Sequence, residues 1–117
     1  MGGLIIPVRL GIAFSGKGLS LEKAVDYGER AEEAGFDSAW AVERWRSAIV
    51  PAVAIGLRTR RLRVGTGIAL AFTRSPALLA LEALDAASAT GGRFILGIGA
   101  GPRQTIEGLH GTRADPP

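Results

Sequence analysis

Branched and aromatic apolar residues gather in four short runs, and between the runs apolar positions recur at helical spacing. The first run is Val8 to Phe14. Ser20 is a good N-cap for the helix that follows, in which Leu21, Ala24, Val25, Gly28 and Ala31 share one face while Glu22, Lys23, Asp26, Glu29, Arg30 and Glu33 fill the rest. Gly35, free to take a positive φ, predicts where that helix stops. A second strand is expected over about Asp37 to Val42, then a polar and aromatic stretch from Glu43 to Ser47, then a compact helix over about Ala48 to Thr59 that tolerates Pro51 in its first turn. The third strand is expected over about Leu62 to Ile68. Past Ala71 to Ser75, Pro76 takes the first position of a helix, where its missing N–H costs nothing, and that helix should run to about Ala89. Thr90, Gly91 and Gly92 then turn the chain into a fourth strand, Phe94 to Gly99, beyond which Gly, Pro and polar residues dominate. Strands alternating with helices in this way predict βαβ units and a parallel sheet.

The last two strands echo each other. Arg61 to Gly67 and Arg93 to Gly99 both read R-x-x-apolar-G-x-G, a repeat that fits a (β/α)8 barrel, because a glycine at a strand end lets a ligand or a neighbouring backbone come close. Active sites of such barrels lie at the C-terminal ends of the strands, which directs attention to Phe14, Glu43 to Trp45, Thr66 to Ala71 and Gly99 to Arg103. A whole barrel takes about 250 residues. The 117-residue chain is therefore expected to be α/β, a partial (β/α)8 barrel of about four parallel strands and three helices, with residues 1–117 forming the N-terminal half of one domain. Alone, such a half leaves strand edges and one apolar face uncovered, which favours self-association or pairing with a second half.

Composition narrows the chemistry. With 47% hydrophobic and 21% charged residues the chain reads as globular rather than disordered. It has no cysteine and a single histidine, His110, so disulfides, thiolate sites and imidazole clusters are excluded and no metal site is expected. A net charge of +3 raises the question of nucleic acid. The excess is concentrated in Arg58, Arg60, Arg61 and Arg63, with no aromatic residues interleaved as a stacking platform requires. That cluster reads as a solvated helix end, favoured by the helix dipole, and no nucleic-acid partner is expected. The most apolar window, Ala48 to Leu57, is interrupted by Pro51 and too short to span a bilayer, so no membrane partner is expected either and a cytoplasmic location is the default.

Several residues invite chemistry. Gly97, Gly99 and Gly101 would let backbone amides approach a phosphate, but their spacing and their place after the fourth strand are not those of a dinucleotide fingerprint, and close packing accounts for them equally. Glu43, at the end of the second strand that faces the expected site, is a candidate to orient a cofactor or exchange a proton, with a local ion pair to Arg44 as the plainer alternative. Trp40 and Trp45 read as core or rim packing, and His110 as a loop residue without a nucleophile beside it.

Whole phrases say more than single residues. Leu19 to Trp40, Arg61 to Pro76 with its GTG strand end and TRSP, and Gly91 to Pro102 (GGRFILGIGAGP) resemble, in order and spacing, the luciferase-like monooxygenases and their deazaflavin-dependent oxidoreductase relatives, over about residues 8 to 111. The resemblance implies an oxidoreductase or monooxygenase that binds FMN or a deazaflavin coenzyme of the F-420 type in the barrel mouth and acts on a small organic substrate by hydride transfer or monooxygenation. It implies a non-proline cis peptide at Gly67 to Ile68 and cofactor contacts at Thr66, Gly67, Ile68, Gly99, Ala100 and Gly101. Relatives that use the deazaflavin often carry Asp-His after the second strand; here Glu43 and Arg44 stand there, and arginine does not shuttle protons as histidine does. The phrase Gly101 to Gly111 resembles a deazaflavin-type subgroup more than the bioluminescent enzymes. The family's cofactor phosphate is held largely by later strands, so little or no cofactor binding, and no activity, is expected of this chain alone. The alternative from a different class is a non-catalytic half-barrel that assembles with itself or with a separately encoded second half.

Overall fold

The computed structural model describes residues 8–113. In chain order its elements are β1 (Gly11–Phe14), α1 (Leu21–Glu33), β2 (Ser38–Ala41), α2 (Ile49–Arg58), β3 (Arg63–Thr66), β4 (Ala69–Leu70), a single 3-10 turn (Ala71–Thr73), α3 (Pro76–Ala89), β5 (Phe94–Ile95), β6 (Ile98–Gly99) and α4 (Arg103–Leu109). Strands β1, β2, β3 and β5 lie side by side in that order, all parallel, and β4 and β6 form a second parallel pair. This is the α/β architecture of a partial (β/α)8 barrel.

The start and stop signals work as their chemistry dictates. Ser20 Oγ accepts from the amide of Lys23 at 3.1 Å, and Ser75 Oγ from that of Leu78 at 3.1 Å ahead of Pro76. Gly35 takes φ of +89° just past α1. The helices pack on one side of the sheet over a core of Phe14, Ala39, Ala41, Ala48, Ala52, Ile55, Leu62 and Val64. Gly28, on the apolar face of α1, is a packing residue: a Cβ there would stand 2.5 Å from Ile55 Cγ2 on α2.

The arginine at the head of each repeat also has a structural reason. Arg61 donates from Nη2 to the carbonyl of Glu32 at the end of α1, while the Glu32 carboxylate accepts from the amides of Arg60, Arg61 and Leu62. Arg93 does the same one unit later. Its guanidinium donates to the carbonyls of Gly56, Thr59 and Leu62 and to Thr59 Oγ1, satisfying carbonyls that the end of α2 leaves without helical partners.

Two features differ from the sequence reading. The third and fourth strands are each broken in two: β3 pairs Val64 with Phe94 and Gly65 with Ile95, whereas β4 pairs Ala69 with Ile98 and Leu70 with Gly99. Residues 66, 67 and 68 on one strand thus face 96 and 97 on the other, a one-residue bulge, and the cis peptide Gly67–Ile68 lies within it. Past the fourth strand a fourth short helix, α4, replaces the expected irregular segment; its single buried residue is Ile106. No helix among the described residues is long and apolar enough to cross a membrane.

Candidate functional site at the C-terminal ends of the strands

Because the strands are parallel, the segments that leave their C-terminal ends emerge on one side of the sheet. Glu43 stands there, two residues past β2, and its carboxylate is buried. Oε1 accepts from the Leu70 amide at 3.0 Å and from Arg74 Nη1 at 2.7 Å; Oε2 accepts from the Ala48 amide at 3.0 Å and from Arg74 Nη2 at 2.7 Å. Four donors fill the lone-pair directions of a carboxylate. Burial pushes its pKa up, but the hydrogen bonds from Arg74, Leu70 and Ala48 outweigh this and leave the carboxyl below its ordinary 4.5. The ion pair expected with Arg44 is instead made with Arg74, 31 residues away. A proton-exchange role for Glu43 is at odds with this saturation. What the geometry offers is a tie between the β2 exit, the start of α2 and β4.

The six residues of the expected cofactor contact divide by orientation. Thr66 is fully buried, and its hydroxyl both donates to the Gly97 carbonyl at 2.8 Å and accepts from the Gly97 amide at 2.9 Å. It bridges the bulge where the ladder is interrupted, so its hydroxyl is already engaged within the chain. Replacing Thr66 with the isosteric valine should take from the Gly97 amide its acceptor, while the Gly97 carbonyl keeps the Ala69 amide at 2.8 Å, and cost about 1 to 3 kcal/mol, read as a lower urea midpoint with unchanged slope.

Packing also explains most of the repeated glycines. A Cβ at Gly65 would meet the Ile95 carbonyl at 2.5 Å and Trp40 Cζ3 at 2.7 Å; one at Gly97 would strike the Thr66 carbonyl, one at Gly99 the Ile68 side chain, and one at Gly101 would come within 2.5 Å of Leu70 Cδ2. Gly67 is different. It is exposed, and a Cβ there would find its nearest neighbour, Trp40, at 3.7 Å, an ordinary contact. Half-buried Ile68 and Gly99 and exposed Ala100 and Gly101 complete the strand ends. Trp40, its Nε1 donating to Ser38 Oγ at 2.9 Å, lies across the face that β3 turns away from the helices and floors it beneath Gly67.

Beside these strand ends an open pocket of about 470 Å³ is lined by residues that include Glu43, Arg44, Trp45, Arg46, Leu78, Leu109 and His110. Half-exposed Trp45 has Lys17 Nζ 4.9 Å and the Arg44 guanidinium carbon 5.0 Å from its ring centroid, so its place is at the rim. His110, expected in a loop, caps the C-terminal end of α4 and brings its exposed ring to this pocket. Sequence reasoning had no signal for that, because α4 itself was not foreseen. A second pocket, about 310 Å³, opens at the other ends of the strands around Arg9, Asp37 and Arg63. Among the described residues no group of three or more His, Cys, Asp or Glu is placed to hold a metal.

Comparison with known proteins agrees with this arrangement. The sequence is 40% identical over 88 residues (74% of this chain, 25% of the other) to a coenzyme F420-dependent oxidoreductase of Mycobacterium tuberculosis whose assignment is itself provisional. It is 35% identical over 83 residues (69% of this chain, 25% of the other) to the 5,10-methylenetetrahydromethanopterin reductase of Archaeoglobus fulgidus. The chain thus spans about a quarter of the length of these relatives. Among solved structures, the oxygenating constituent of 3,6-diketocamphane monooxygenase from Pseudomonas putida, in complex with FMN, superposes with a TM-score of 0.79 at 21% identity, over 92% of this chain and 34% of that one. At that identity it speaks for the fold alone. The coenzyme F420-dependent tetrahydromethanopterin reductase of Methanopyrus kandleri gives 0.76 at 25% identity, over 89% of this chain and 30% of that one. The sequence pattern of one family, described as luciferase-like monooxygenase, matches residues 1–117, and with the parallel strands and glycine-marked strand ends in place the chain belongs to that family.

Proposed function

We propose that the chain is the N-terminal part of a (β/α)8-barrel oxidoreductase that works with FMN or a deazaflavin coenzyme on a small organic substrate, by hydride transfer or monooxygenation. The observation that carries this reading is Gly67: alone among the glycines at 65, 67, 97, 99 and 101 it is exposed and has room for a side chain it does not carry. Internal packing does not require a glycine there, whereas a flat ring laid on the strand ends does. The residues present fit such a ring, since Gly67, Ala100 and Gly101 offer it backbone and one methyl group and Trp40 supports the strand from below.

When bound, the flavin or deazaflavin supplies the redox chemistry. The chain's own residues orient it and keep the strand ends in place: Thr66 fixes the bulge, and Glu43 with Arg74 ties β4 to the β2 exit. In this reading Glu43 positions and does not transfer protons. The test is Gly67→Ala. It should leave the thermal melt within about 1 kcal/mol, since alanine fits, and weaken FMN or deazaflavin binding about tenfold in a fluorescence titration. Unchanged affinity for both cofactors would refute the seat at Gly67. The chain alone should bind either only at about millimolar concentration, roughly −4 kcal/mol, because the stretch it shares with its relatives is only 25% of their length.

A second reading, assembly as a half-barrel with itself or with a separately encoded half, is favoured by exposed Leu10, Ile95 and Ile98 and by Leu81 and Leu84 on α3. It predicts a discrete oligomer with a cooperative melt in size-exclusion light scattering; a monomer with a cooperative melt would refute it.

A further inference from the structure

We infer that the pocket beside the strand ends binds a small organic oxyanion, a carboxylate or phosphate carried on an apolar body. This names the substrate class of the proposed oxidoreductase and rests on that reading only for the word substrate. Arg44 and Arg46 line the pocket, and neither pairs with a carboxylate among the described residues, although Arg46 is half-buried. The acids nearby are already answered. Glu43 is held by Arg74 at 2.7 Å, and Arg74 also meets Glu82 at 3.4 Å. Three arginines (Arg44, Arg46, Arg74) thus line the pocket with one acid, Glu43, and Lys17 lies over the Trp45 ring at its rim.

A guanidinium that reaches the pocket offers a planar fork of N–H donors that suits a carboxylate or phosphate. Arg44 is placed over the Trp45 ring at 5.0 Å, which restrains it near the pocket. The rest of the wall is apolar or weakly polar: Leu78 from the first turn of α3, Leu109 and His110 from the end of α4. Both leucines are exposed. An anion with an apolar body covers them while its head meets the arginines, a combination that neither bare phosphate nor a neutral ring can satisfy.

The experiment is a tryptophan-fluorescence titration of the full chain, without cofactor, with phenyl phosphate, benzoate, phenol and inorganic phosphate. Phenyl phosphate or benzoate should perturb the emission saturably, with phenol and inorganic phosphate each at least about tenfold weaker. The stronger of the two organic anions identifies the head group. Arg46→Gln and Arg44→Gln should each weaken the organic anion about tenfold, leaving phenol and the far-UV spectrum unchanged. Arg63→Gln, at the opposite pocket, should change nothing, and Trp45→Phe should remove most of the signal. Phenol binding as tightly as the anions, loss of binding with Arg63→Gln, indifference to both pocket arginines, or no saturable perturbation would each overturn the inference. Since no cofactor is present, such a failure leaves the redox reading standing, and a failed cofactor titration leaves this one.

Discussion

Replacing Glu43 with alanine will destabilise the chain by about 3 to 5 kcal/mol, the cost of leaving a buried charge without its partner. Arg74 would lose both of its short bonds, and the amides of Ala48 and Leu70 would lose their acceptor. With total stabilities of about 5 to 15 kcal/mol typical of domains, much of the population should unfold under mild urea. The pH dependence carries the same signature. The native carboxyl is held below its ordinary 4.5, so its contribution is whole above that value and is lost as pH falls through the native pKa. Stability of the wild-type chain and of Glu43→Gln should therefore differ by a constant above about pH 5.5 and converge under acid. A difference independent of pH down to pH 3 would show that the carboxylate's charge is not what holds the site.

Gly97→Val is expected to be nearly as severe, at about 3 kcal/mol or more, because the added atoms meet backbone. A Cβ at that position strikes the Thr66 carbonyl, and neither strand can move away without breaking the paired bonds of the Thr66 hydroxyl. Overpacking against flexible side chains costs about 1 to 3 kcal/mol; here the obstacle is the bulge itself. Gly16→Ala is the matched control, since its nearest neighbour would be Leu19 Cβ at 3.5 Å, and it should change stability by less than about 0.5 kcal/mol. Equal melts for Gly97→Val and Gly16→Ala would remove the packing explanation for the second repeat.

What the sequence made legible was local. Ser20, Gly35 and Pro76 mark helix ends through a hydroxyl, dihedral freedom and a missing N–H respectively, and the alternating runs identify parallel strands without tertiary knowledge. The position of the cis bond followed from the GTG phrase of the family resemblance, and the structure has it at Gly67–Ile68. What was not legible depends on distant partners. Arg44 sits beside Glu43 in sequence but not in its hydrogen bonds, because the residue after a strand end projects away from its predecessor; Arg74 arrives by way of β4 and the turn behind it. The family resemblance puts Thr66 among the cofactor contacts but says nothing of which way it faces; residues that alternate along a strand face opposite sides, and the Thr66 side chain falls on the helix side. The break in the third and fourth strands could not be read from either alone, since a bulge is a property of the pair. Helix α4 carries one buried apolar residue, Ile106, between glycines, too little periodicity to reveal it.

If a flavin or deazaflavin ring rests on the strand ends at Gly67, amide chemical shifts will register it, because they report weak binding residue by residue. FMN and the deazaflavin coenzyme should each be titrated into the isotopically labelled full chain. Saturable shifts centred on Gly67, Ile68, Gly99, Ala100 and Gly101 are expected, reduced in Gly67→Ala. Shifts centred instead on Arg9, Asp37 and Arg63 at the opposite pocket, or none with either cofactor at millimolar concentration, would contradict that seat.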